Sequence, residues 1–132
     1  MAARVKVSIP VDAQRDAEFD RAFELLRGLV DLSAADVEFP VRGNTVYTTS
    51  VVLWMLVSQR MNPDRSLAAA VKRLIDEPPE FLPQNHQRVQ KRALSRGTGG
   101  YSRARSRLQR DAAQWLAERV SESLIEIGRA HV

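Results

Sequence analysis

Eight cations stand between Phe81 and Arg110 without a single carboxylate: Arg88, Lys91, Arg92, Arg96, Arg103, Arg105, Arg107 and Arg110. The whole chain holds 20 Lys and Arg against 16 Asp and Glu. Outside this window the other 12 cations face all 16 carboxylates, a balance of −4, while the window carries +8. A segregated basic block is the footprint of a polyanion-binding surface, because guanidinium groups offer paired donors to phosphate oxygens. A solvated arginine face is the plainer alternative. Within the block, Gly97-Thr98-Gly99-Gly100 precedes Tyr101 where a helix should start, and free N–H groups at a helix start suit a phosphate. The same pattern also serves as a plain N-cap. It lacks the Lys-Ser/Thr ending of a nucleotide-binding loop, which argues against ATP.

Catalytic chemistry is harder to assemble. Tyr101 beside Arg103 and Arg105 has the types of a tyrosine recombinase site, but Tyr101 falls on an apolar stripe and no histidine-containing arginine set accompanies it. His86 has no second histidine at ligand spacing, and the chain has no cysteine, so it reads as a solvated loop residue. No serine–histidine triad or carboxylate pair stands out. The expectation is a chain with no catalytic residue, no metal, no cofactor and no small-molecule substrate of its own.

At 132 residues and 14.9 kDa the chain suits one domain, burying roughly two-thirds of its unfolded surface. Absence of cysteine fits a reducing interior. The N-terminus lacks the apolar run of a secretory signal, and the longest apolar run, Val51–Val57, is too short for a bilayer. Membrane-surface binding is disfavoured by the lack of a strong apolar face beside the block before Trp115. A cytoplasmic protein is expected, with no membrane partner.

The elements that must position the block read mainly as helices. Residues 1–10 form a tail or a short strand, with Val5, Val7 and Ile9 alternating before Pro10. The strand's candidate partner is Glu38–Thr48, folded as a short β-hairpin about Gly43-Asn44. Between them a helix capped by Asp12 carries the stripe Phe19, Ala22, Phe23, Leu26 and Val30. Val51 to Met61, with Thr49 or Ser50 as cap, fits either a buried strand or a buried helix. The polar continuation Ser58-Gln59-Arg60 favours the helix, with Trp54 in the core. Leu67, Ala70, Val71, Leu74 and Ile75 predict an amphipathic helix capped by Asp64 or Ser66 and stopped by Pro78-Pro79. The pair is helix-turn-helix-like, yet Lys72 and Arg73 are too few to make a base-reading helix.

Residues 77–96 have no clean period, and a connection this long is usually functional or disordered. If Gln87–Ser95 coils, Arg88, Lys91 and Arg92 share a face. A last long helix is expected from Gly99–Tyr101 onward with Thr98 as cap and Tyr101, Ala104, Leu108, Ala112, Trp115 and Leu116 as its apolar stripe. Arg103, Arg107 and Arg110 then point away from the stripe. Arg105 projects about 40° from Tyr101 and takes a structural role, either snorkelling past the stripe or paired with a carboxylate such as Asp64 or Asp76. Arg88, Lys91, Arg92, Arg96, Arg103, Arg107 and Arg110 remain as phosphate-contacting candidates; Trp54, Tyr101, Arg105 and Leu108 are structural.

Two motifs carry a resemblance. Ser50-Val51-Val52-Leu53-Trp54-Met55-Leu56-Val57-Ser58-Gln59-Arg60-Met61, followed by Asp64-Arg65-Ser66-Leu67-Ala68-Ala69-Ala70-Val71, resembles the N-terminal region of transposases of the insertion-sequence-four family, which reads Leu-Trp-x-Phe-Leu-x-Gln and then Ser-Cys-x-x-Ala-Val. Thr98-Gly99-Gly100-Tyr101-Ser102-Arg103-Ala104-Arg105-Ser106-Arg107-Leu108 resembles the family's Thr-Gly-Ala-Tyr-x-x-Ala-Arg-x-Arg-Leu. A non-aromatic residue in the aromatic's place and Leu67 for the cysteine are departures of core type. Neither motif is catalytic; their order and joint spacing over Thr49–Leu108 carry the likeness.

The resemblance implies binding to double-stranded DNA at the terminal inverted repeats of a mobile element. It also implies an RNase H-like core whose Asp, Asp and Glu hold divalent metal, Mg or Mn. That core is expected downstream and absent here, so Asp111, Glu118, Glu122 and Glu126 are not promoted to it. The rival function is a dimerisation module, pairing through the Phe19–Val30 and Tyr101–Val120 faces into a homodimer. RNA binding is disfavoured because Tyr101 is the only aromatic between Arg88 and Arg110. The expected layout is a tail or strand over 1–10, a helical domain over 11–123 with its basic segment at 81–110, and a doubtful tail over 124–132. From about Glu126 that tail, Glu-Ile-Gly-Arg-Ala-His-Val, is one frame's translation of a widely used sequencing adapter, and is expected to be foreign to the gene.

Overall fold

The computed structural model describes residue 21 and residues 24–130. In chain order it has helix α1, seen over residues 24–29, a 3-10 turn at Leu32–Ala34, and α2 at Ala35–Glu38. Then follow α3 at Thr49–Met61, α4 at Leu67–Asp76, α5 at Gln87–Gln90, α6 at Gly99–Arg107 and α7 at Arg110–Ala130. The fold is mainly α, with no strand among the described residues. The expected strand at 4–9, the Asp12 cap and the Phe19, Ala22 and Phe23 part of the first stripe lie outside those residues. No described helix is long and apolar enough to cross a membrane.

The 3-10 turn, α2, α4 and α6 all pack against α3. Val51, Val52, Leu53, Trp54 and Met55 are each at most 2% exposed, so this helix is covered on every side. A helix apolar all round has no period to read, which is why the run was ambiguous with a strand. Burial outweighs the weak helix propensity of its valines. Its cap is Thr48, one residue before the expected pair: the Thr48 hydroxyl accepts from Val51 N at 3.4 Å. Asp36 supports the same end, accepting from Ser50 N at 2.8 Å and Ser50 Oγ at 2.5 Å. A carboxylate there also opposes the positive end of the helix dipole.

α4 lies against α3 and buries Ala70, Val71 and Leu74. Ser66 Oγ caps it, accepting from Ala69 N at 3.1 Å, while Asp64 Oδ1 accepts from Ser66 N. The helix stops at Asp76, ahead of Pro78-Pro79. α6 touches both α3 and α4.

The β-hairpin expected at 38–48 is not formed. Gly43 does take a positive φ of 89°, as the turn reading requires, but its flanks are irregular. Their polar groups bond elsewhere: Phe39 O accepts from the Thr49 hydroxyl, and Tyr47 N donates to Thr45 Oγ1. The Phe39 carbonyl is thus drawn onto the start of α3, and the Tyr47 N–H is closed within the segment.

The expected single helix after Gly99 is two helices. Leu108 has an extended backbone (φ −59°, ψ 126°) that separates α6 from α7. A continuous helix would stack Arg103, Arg107 and Arg110 in one column at i, i+4 and i+7, with repulsion at each step. The joint relieves that column. The apolar stripe survives it, since Tyr101, Ala104, Ala112 and Trp115 are all buried. α7 is tied to the end of α1 by Ser123 Oγ, which donates to Leu29 O at 2.8 Å. Beyond it Leu124, Ile125 and Ile127 are exposed.

Candidate nucleic-acid interface

All eight cations of the basic block lie exposed. Among the described residues none of the eight forms an ion pair; those present join Arg27 to Glu24 and Glu80, Arg73 to Glu77, and Arg119 to Glu122. A cation with no protein counter-charge is available to neutralise a phosphate, displacing the counterions condensed on a polyanion.

The structure divides the seven phosphate-contacting candidates into three groups. Arg103 and Arg107 share α6, with Arg107 Nε donating to Arg103 O at 3.3 Å. The Arg103 guanidinium folds back towards Gly99, where an added Cβ would meet its Nη1 at 3.3 Å. Arg110 opens α7 on the far side of the joint, so it does not share a helix face with the other two. Arg88, Lys91, Arg92 and Arg96 belong to the segment before α6.

In that segment the expected coil over Gln87–Ser95 shrinks to the single turn of α5. His86 starts it: its Nδ1 accepts from Arg88 N at 3.1 Å, a capping role the sequence reading missed. The turn ends in a Schellman closure, with Ala93 N donating to Arg88 O at 2.8 Å and Arg92 N to Val89 O at 3.1 Å. Arg92 occupies the left-handed position, φ 52°, that normally takes glycine. Arg88, Lys91 and Arg92 therefore do not share a helical face. A residue bearing a Cβ in this conformation costs roughly 1–2 kcal/mol. Arg92→Gly is expected to leave stability unchanged or raise it by up to about 1 kcal/mol, since relief of strain is offset by a looser unfolded chain. Arg92→Ala keeps the strain, and urea denaturation of the two variants separates them. If the arginine serves a polyanion, both variants weaken that binding alike.

The start of α6 fits an anion less completely than its glycines suggest. Gly97 N donates to Ser95 Oγ at 3.2 Å and is withdrawn from the nest. Thr98 occupies the N-cap position without a side-chain cap bond (φ −92°, ψ −10°). The N–H groups of Gly99 and Gly100 find no side-chain acceptor among the described residues. Gly100 is required by packing: a Cβ there would meet Tyr47 Cε2 at 2.9 Å. Where the resembled motif has alanine, this chain has glycine, and the Tyr47 ring fills the space. Gly100→Ala is expected to destabilise by about 1–3 kcal/mol through overpacking. Tyr47→Leu in the same chain should recover part of that loss, seen as coupling in a double-mutant cycle of thermal melts.

What holds α6 in place is a polar node at Gln59. Its Oε1 accepts from Tyr101 OH at 2.9 Å and from Arg105 Nη1 at 3.4 Å, while its Nε2 donates to Arg65 O at 2.8 Å. Arg105 thus meets an amide oxygen rather than Asp64 or Asp76. It stays exposed. Tyr101 is 0% exposed, its ring 6.2 Å from that of Tyr47 and tilted by 33°. Burial pushes the Tyr101 phenol up to about 12, against a small opposing pull from the Arg105 charge. Burial raises Tyr47 as well. Trp54 is buried in α3, and Leu108 is half-buried at the joint.

Gln59 was visible as a motif position and as part of the polar run Ser58-Gln59-Arg60, not as a contact for α6, and no local pattern marks Tyr47. Among the described residues no three His, Asp or Glu side chains gather as a metal-binding group. No protein-family model, curated protein or solved structure matches the chain.

Proposed function

We propose that this chain is the DNA-binding and positioning region of a cut-and-paste transposase, gripping double-stranded DNA at the ends of a mobile element. The observation that carries the reading is the set of eight exposed block cations with no carboxylate partner among the described residues. Arg88, Lys91, Arg92, Arg96, Arg103, Arg107 and Arg110 contact phosphates, which fixes register and supplies affinity without reading sequence.

The meeting at Gln59 supports the transposase part. Gln59 belongs to the first resembled motif, Tyr101 and Arg105 to the second, and the three side chains share one node. Two motifs that lie 42 residues apart at this contact behave as one packed unit. The helix-turn-helix-like pair α3 and α4 serves that unit as scaffold rather than reader: Arg73 is ion-paired to Glu77 at 3.2 Å.

Burial weighs against one of the two dimerisation faces and against RNA stacking; the Phe19, Ala22 and Phe23 part of the other face lies outside the described residues. The Tyr101–Val120 face suggested for dimerisation turns inward, with Tyr101, Ala104, Ala112 and Trp115 covered within the chain. Tyr101, the one aromatic between Arg88 and Arg110, is likewise unavailable for stacking on single-stranded RNA. Fluorescence anisotropy with a labelled duplex of about two helical turns at low salt tests the proposal. Binding that weakens steeply as salt rises is expected; no binding at low salt, or salt-independent binding, overturns it.

A further inference from the structure

A cleft opens between the irregular 39–48 connection and the joint of α6 with α7. The rings of Phe39 and Tyr47, the guanidinium groups of Arg42 and Arg107, and the polar side chains of Thr45 and Gln109 line it, over an apolar base that includes Val52 and Ala104. No carboxylate lines it. Neither Arg42 nor Arg107 has an ion-pair partner among the described residues. Thr45 Oγ1 accepts from Tyr47 N at 3.1 Å, which leaves its own proton to donate.

These groups define an occupant. Two unpaired arginines ask for an anion, and aromatic and apolar walls ask for a flat body beside it. The free volume is about 240 Å³, below the roughly 300 Å³ at which pockets for drug-sized ligands begin. The fit is therefore to a fragment the size of one base. Arg107 belongs to the cleft and to the cationic block alike, so a strand held by the block runs past the cleft. A base stacked inside a duplex cannot enter; an unpaired one can.

We propose that this cleft takes a single unpaired nucleotide at the end of the duplex held by the block. Its base lies among Phe39, Tyr47, Thr45 and Gln109, and its phosphate between Arg42 and Arg107. The cleft also recruits Arg42, which lies outside the basic block. The proposal rests on the duplex-binding reading, and its test separates the two.

Three duplexes identical but for one end are compared by anisotropy: blunt, with a two-nucleotide unpaired extension, and with that extension made abasic. The intact extension is expected to bind about 5- to 150-fold tighter than the abasic one, the range that stacking one base supplies. In Arg42→Ala/Gln109→Ala, both positions being exposed, that advantage disappears while the blunt duplex still binds. Equal affinity of all three duplexes for the unaltered chain overturns the cleft and leaves the duplex grip standing. So does an advantage that survives the double substitution. Loss of every duplex at low salt overturns both.

Discussion

Tyr101→Ala is expected to cost about 3–5 kcal/mol, the range for deleting a buried aromatic. A small domain has roughly 5–15 kcal/mol in all, so this one change should bring the chain close to unfolding. The ring is 0% exposed, rests against Tyr47, and its hydroxyl holds Gln59. Without it α6 loses its hold on α3, and the arginines it presents lose their place. Tyr101→Phe keeps the ring and removes only the hydrogen bond, at about 1 kcal/mol; Gln59 Oε1 then retains Arg105 at 3.4 Å. Urea unfolding followed by circular dichroism measures both.

The same phenol makes stability depend on pH. Its pKa rises from 10.0 to about 12 in the folded chain, so folding favours the protonated form. The contribution is full below about pH 10 and falls as pH climbs towards 12, where the unfolded state has released a proton that the folded state still holds. Tyr101→Phe should flatten this alkaline loss. Tyr47, raised by burial too, keeps part of it.

The second large effect concerns binding. With about six or more phosphates neutralised, raising salt from 50 to 200 mM should weaken duplex affinity by about 10³-fold or more. Arg103→Gln/Arg107→Gln should flatten the slope of log K against log salt by roughly two units. Both side chains are exposed on α6, and the packing of the helix rests on Tyr101 and Ala104 instead. Arg119→Gln is the control. Arg119 is engaged by Glu122 at 3.3 Å and lies 5.7 Å from the centre of the Trp115 ring, so its loss should leave the slope unchanged. Equal slopes for all three proteins would return the block to an ordinary solvated face.

How far the sequence reaches depends on the range of the interaction. α4 was legible throughout, because its period, its Ser66 cap and its proline stop are all local. α3 was legible in extent but ambiguous in type, since a helix buried all round shows no face. The hairpin at 38–48 was misjudged because Phe39, Thr49, Asp36 and Ser50 bond across loop and helix end, which no turn rule captures. Of the candidate interface, the charge segregation was plain from composition. Its division was not: Arg92 leaves the helix by a backbone choice, and Arg110 parts from Arg107 at a joint the apolar stripe passes through unbroken. Arg42 escaped notice because its neighbour in the cleft, Arg107, comes from a distant part of the sequence.

The joint at Leu108 has a consequence for how this surface can vary. In an unbroken helix, adding one residue turns everything beyond it by about 100°, so the arginines on either side would be locked to one length of chain. Here each half is secured by its own anchor, α6 by Tyr101 on Gln59 and α7 by Ser123 on Leu29. A residue gained or lost at 108–109 would be taken up in the link, and Arg103 and Arg107 on one side and Arg110 on the other would keep their aim. The grip can be lengthened or shortened without being rebuilt.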